Sequence, residues 1–156
     1  MNNWIEHLRD RDYDKIQALI EVGEDVNASN EVGESVLMYA LRHRCDFSVL
    51  MKLVKSGADI FAVDNEGVSV FDMAITYNNL DMVKYIIEKG VDVNTTKRKS
   101  GFTPLMCASS YGRYDVAKLL LKEGADKQKI DSSGLSAHDY SRKMNKKSIL
   151  KLLEEH

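Results

Sequence analysis

One proline, one tryptophan and two cysteines in 156 residues leave little material for several common architectures. Cys45 and Cys107 stand 62 positions apart with no Cys-x-x-Cys pair, which excludes a disulfide framework or a zinc knuckle and fits reduced, structural thiols. No window approaches 18 uninterrupted apolar residues, and the start MNNWIEHLRDRDY lacks an apolar h-region, so neither a membrane span nor export is signalled and a cytoplasmic address is expected. Charge of one sign is missing too: the net value of −2 gives no global bias toward nucleic acid or membranes. The distribution is less even, since residues 1–78 carry 7 Lys/Arg against 14 Asp/Glu, net −7, and residues 79–156 carry 15 against 10, net +5.

Catalytic signatures are equally scarce. The chain has no G-x-S-x-G elbow, P-loop, dinucleotide fingerprint or H-E-x-x-H. Its four histidines, His7, His43, His138 and His156, are scattered, and the His43/Cys45 pair has no second pair to complete a zinc site. No catalytic residue, no metal ligand and no cofactor is expected, and the chain reads as a non-enzyme.

What is present is a period. Gly23, Gly57, Gly90 and Gly124 recur at spacings of 34, 33 and 34, each followed two residues later by an aspartate: Asp25, Asp59, Asp92 and Asp126. Gly33, Gly67, Gly101 and Gly134 recur at 34, 34 and 33. A period near 33 signifies stacked repeats, in which equivalent aspartates lie about 8–10 Å apart, too far for an acid/base pair. Their expected job is hydrogen bonding within loops.

The stretch Gly101 to Asp126 displays one unit most clearly. Thr103 is an N-cap candidate and Pro104 suits the first helical position; Leu105, Ala108 and Ser109 form a narrow face, and Gly112 can stop the helix in the left-handed region. Val116, Ala117, Leu119, Leu120 and Leu121 give a second helix its apolar face. Helices this short are marginal alone and need neighbours. Asn78-Asn79 replaces the glycine turn in another unit, and HRCDFS adds one residue between the helices of a third.

With TPLMCA at 103–108, LLLKEGAD at 119–126, KSGADI at 55–60, EKGVDVN at 88–94 and EVGEDVN at 21–27, the chain resembles the ankyrin-repeat family over essentially its whole length. The resemblance implies an all-α fold: an ankyrin-repeat solenoid of stacked helix-turn-helix units with β-hairpin-like loops, capped at both ends. It divides a single domain, 1–156, into an N-terminal cap over about 1–30, units at 31–63, 64–96 and 97–130, and a C-terminal cap at 131–156. Trp4 is expected to cover the end of the core. Asp72 and Asp139 stand where the family's motif has histidine, a departure expected to weaken the inter-repeat hydrogen-bond network.

The same resemblance carries Arg42, His43, Tyr77, Ser110 and Tyr111 onto a concave groove at the ends of the inner helices. Glu34, Val68, Phe102 and Leu135, after the opening glycines, fall at the groove's edge by the same resemblance. Lys97, Arg98 and Lys99 sit in TTKRKSG, a loop one residue longer than its counterparts, and are expected at a finger tip. Five inner helices about 8–10 Å apart give a face near 600 Å², close to the ~800 Å² per partner of a standard interface once loops are added. The expected function is therefore non-catalytic binding of another protein through this face and the loop tips, by a chain monomeric on its own. Nucleic-acid binding through the basic C-terminal half is the alternative reading.

Overall fold

A computed structural model describes all 156 residues. Ten helices follow one another: α1 Asn2–Asp10, α2 Tyr13–Glu21, α3 Val36–Arg42, α4 Phe47–Lys55, α5 Val70–Thr76, α6 Leu80–Glu88, α7 Pro104–Tyr111, α8 Tyr114–Lys122, α9 Ala137–Lys143 and α10 Lys147–Glu155. The chain forms two compact units, Met1–Met73 and Ala74–His156, divided within α5.

In the first unit α1 packs on α2 and on α3, and α3 on α4. Its core gathers Leu8, Ile16, Leu37, Met38, Leu41, Leu50 and Leu53, all essentially inaccessible. Trp4 joins them at 1% exposure, its indole N–H donating to the Asp25 carbonyl at 3.1 Å, so the large ring is satisfied as well as buried. In the second unit α7 packs on α8 and α9, α9 on α10, and α8 lies beside both α6 and α10. Met82, Ile86, Leu105, Val116, Leu120 and Ile149 fill that core. Ala40, Ala74, Ala108 and Ser141 occupy one repeated position and are fully buried, because only a small side chain lets neighbouring helices close up there.

The helix starts follow from local chemistry. Ser35, Asn79, Thr103 and Ser136 accept the N–H groups of Met38, Met82, Met106 and Asp139 as N-caps. Asp72 and Asp139, read from sequence as departures from the family's pattern, close reciprocal capping boxes: the Ser69 N–H donates to Asp72 Oδ2 at 3.0 Å, and the Ser136 N–H to Asp139 Oδ2 at 2.9 Å. The helix-helix turns need a left-handed residue, supplied by Gly112 once and by Arg11, Arg44, Asn78 and Asn145 elsewhere.

Single antiparallel bridges, Ser29 with Ser35, Val63 with Ser69 and Ile130 with Ser136, give three of the loops their hairpin character. All four repeated aspartates accept the backbone N–H two residues on, at Asn27, Phe61, Asn94 and Gln128. Neighbouring loops are stapled within each unit. Asn27 donates to the Gly57 carbonyl and accepts from the Asp59 N–H; Asn94 repeats the arrangement with Gly124 and Asp126.

Candidate functional site

The sequence-derived site residues fall in both units. In the first, Arg42 closes α3 and His43 caps it. Arg42 does not project a free charge. Its guanidinium donates from Nε and Nη2 to the two oxygens of Glu34, at 2.9 and 2.6 Å, and lies 4.7 Å above the Tyr39 ring. Glu34 is 8% exposed, so this bidentate pair is well shielded on the acidic side. The His43 ring stacks 4.5 Å from Tyr39, with Nε2 buried and lacking a hydrogen-bond partner. Burial, and then the neighbouring Arg42 charge, push its pKa below the ordinary histidine value, which keeps it neutral at pH 7. Val68 is half-buried, and its N–H is taken by Asp64 Oδ1.

The second unit holds the rest. Tyr77 follows α5 and is half-buried, while Ser110 and Tyr111 end α7. Tyr111 is 49% exposed, and the Arg113 guanidinium lies 6.0 Å from its ring centre. Arg113 is itself tied down, donating through Nε and Nη2 to the Thr76 carbonyl at 3.1 and 2.6 Å. In the long loop, Lys97 and Lys99 are exposed, whereas Arg98 turns back and stacks 5.0 Å over Phe102. The three basic residues expected at one tip thus split into two outward cations and one inward brace.

Phe102 meets Tyr140 of α9 edge-to-face at 5.1 Å. The Tyr140 hydroxyl donates to Asp131 Oδ2, while Asp131 Oδ1 accepts the N–H groups of Ser133 and Leu135, the latter a half-buried residue. Burial alone would raise the Asp131 pKa, but these donors outweigh it and hold the carboxyl below its usual value. The phenol moves the other way, pushed up to about 12, chiefly by its bond to Asp131. Arg98, Phe102, Tyr140 and Asp131 form one braced column. The Ser132 N–H, donating to the Ser100 carbonyl at 2.7 Å, ties the long loop to its neighbour.

Sequence reasoning passed over Tyr140, Asp131 and Tyr39, and it placed Glu34 at the groove's edge without its pairing to Arg42. One signal was available: Tyr39 and Tyr140 fall at the same repeat position, just before Ala40 and Ser141. No group of three or more His, Cys, Asp or Glu residues comes together in metal-binding fashion, and no helix is long and apolar enough to cross a membrane.

Paired helices repeating every 33 or 34 residues, hairpin-like loops and small residues at one helix position define a helical-repeat protein. The family model for ankyrin repeats matches in three copies, over residues 6–97, 48–131 and 96–155, and the chain belongs to the ankyrin-repeat family. Ankyrin repeats are in general protein–protein interaction modules without catalytic activity of their own.

Among similar proteins, the nuclear factor NF-kappa-B p105 subunit of Gallus gallus is 36% identical over 111 residues, 70% of this chain and 11% of its own length. The E3 ubiquitin-protein ligase hecd-1 of Caenorhabditis elegans is 36% identical over 107 residues, 68% of this chain and 4% of the ligase. The palmitoyltransferase ZDHHC13 of Homo sapiens is 36% identical over 99 residues, 64% of this chain and 15% of the transferase. The chain therefore spans only a small fraction of each of these relatives.

Proposed function

We propose that the chain is a non-catalytic, single-domain binding module that engages a partner protein through inner-helix ends and loop tips, acting as a monomer in the cytoplasm. The observation that carries the reading is Tyr111: a large aromatic, 49% exposed, at the end of a helix whose preceding residues from Pro104 to Ser109 are buried. Tyrosine loses little entropy on binding and carries both an apolar ring and a hydroxyl, which suits it to anchor an interface. Tyr77 and Phe102 supply further ring surface, Lys97 and Lys99 supply outward charge, and Ser110, Val68 and Leu135 complete the contact set. Arg42, His43 and Arg98 contribute faces already held in place by Glu34, Tyr39 and Phe102.

The test is affinity capture with mass spectrometry, comparing the parent with the Tyr77→Ala/Tyr111→Ala double variant after matching their circular dichroism. Loss of specific partners from a folded double variant is expected. Retention of every partner would overturn the assignment of these tyrosines. The excess of 15 basic over 10 acidic residues in 79–156 favours nucleic acid as the second reading, which predicts filter binding with a measurable salt slope.

A further inference from the structure

Helices α6, α8 and α10 of the second unit carry a surface that the reading built on Tyr77 and Tyr111 does not use. Leu80 of α6, Leu119 of α8 and Leu152 of α10 line an open groove of about 600 Å³. All three leucines are half-buried. Lys84, Lys118 and Lys122 rim the same groove and are exposed, and no carboxylate of the chain forms a salt bridge with any of them. His156 completes the lining, and Asp115, at the start of α8, is its side-chain carboxylate, so the lysine and aspartate side chains of the rim carry three positive charges against one negative.

Cations left unneutralised beside an apolar floor are costly to leave facing one another and favour an occupant that brings the opposite charge. The unit as a whole adds to this, with its excess of basic residues. Packed helices lie about 8–10 Å apart, and residues i and i+7 of a helix are about 10 Å apart along its axis. A helix laid across α6, α8 and α10 would therefore bring an apolar residue to each floor leucine in turn. Lys118 and Lys122, on successive turns of α8, would meet carboxylates beside that stripe.

We propose that this groove docks an acidic amphipathic helix of a partner protein, with leucine-like residues on the Leu80, Leu119 and Leu152 floor and carboxylates on Lys84, Lys118 and Lys122. Neither Tyr77 nor Tyr111 lines this groove, so its occupant is separate from anything held by those two rings.

The probe is a fluorescein-labelled peptide of about 18 residues with leucine on one helical stripe and glutamate flanking it, long enough to span three helices. Fluorescence polarisation with the full chain should show saturable binding, stronger than a scrambled peptide of the same composition and weakened by salt. Lys118→Glu/Lys122→Glu should reduce affinity about tenfold or more, as should Lys84→Glu more modestly, because each reversal replaces attraction by repulsion at an exposed site. The Tyr77→Ala/Tyr111→Ala variant should bind the peptide like the parent, which separates failure of this proposal from failure of the inner-helix reading.

Equal binding of the scrambled peptide, indifference to the lysine reversals, or loss of binding in the tyrosine variant would overturn the proposal. Two further outcomes would also overturn it in the absence of peptide binding. One is lysine-dependent retention on phosphatidylserine vesicles, which would assign the groove to a lipid surface. The other is lysine-dependent dimerisation in sedimentation, which would assign it to a second copy of the chain.

Discussion

Replacing Tyr140 by phenylalanine separates the two jobs of that residue, because the ring that supports Phe102 remains while the hydroxyl that serves Asp131 is lost. Asp131 is 7% exposed and keeps its two backbone donors in the variant, from Ser133 and Leu135, but Oδ2 loses the phenol. A hydrogen bond to a charged group contributes about 1.5–3 kcal/mol, and partial access of water to the Tyr140 side argues for about 1.5–2 kcal/mol. For a chain of this size that corresponds to a melting temperature lower by about 3–8 °C at pH 7.

The pH dependence gives the sharper test. The Asp131 pKa is depressed in the fold, so its contribution is present above the unfolded value near 3.9 and fades as pH falls through the lower folded value. The gap between parent and variant should therefore narrow below about pH 4. At the alkaline end the phenol is raised to about 12, so its stabilisation is complete below the unfolded value near 10 and is lost as pH rises through about 12. Thermal melts by circular dichroism at neutral, acidic and alkaline pH measure all three regimes. A variant melting within about 1 °C of the parent at pH 7, or a gap that persists unchanged in acid, would refute the role given to this bond.

Two further substitutions test how the loops are held. Gly33 has φ +80, and a Cβ there would stand 2.5 Å from Asn65 Oδ1 and 2.9 Å from the Asn65 backbone nitrogen. Gly33→Ala should cost at least about 2 kcal/mol, while Gly23→Ala, with nothing within 4 Å of its Cβ, should cost only the about 1–2 kcal/mol of the left-handed backbone; equal melts for the two would contradict the close approach. Asn94→Ala removes both bonds to the Gly124–Asp126 loop and should destabilise by about 1–2 kcal/mol in denaturant titration, whereas an unchanged midpoint would mean water replaces the staple at no cost.

The fold was largely legible because its signals are local. Gly112 and Asn78 adopt the left-handed turn that their residue types allow, Thr103 caps α7, and the four aspartates bond their own loops. Asp72 and Asp139 carry a local signal of their own, the Ser-x-x-Asp capping box, which their departure from the family's histidine masks. Arg11 and Arg44 in left-handed turns could not be read from propensity, since stacking fixes the turn and the side chain tolerates the strain, whereas Asn145 has the residue type that allows it.

Side-chain partnerships at the candidate surface were less legible, because they join residues at separations that no single helix period links. Glu34 reaches Arg42 eight positions on because the loop folds back over α3, and Phe102 reaches Tyr140 across a whole repeat. Both pairings convert residues that look available in sequence into parts of the scaffold. A substitution at Arg42, Arg98 or Phe102 therefore disturbs a loop as well as any contact with a partner, and a binding defect there cannot by itself locate an interface. Lys97 and Lys99 are exposed and take no part in those pairings, and the half-exposed Tyr111 ring meets the Arg113 guanidinium at a distance of 6.0 Å. Binding changes at those three positions, with folding unchanged, are the ones that speak directly to recognition.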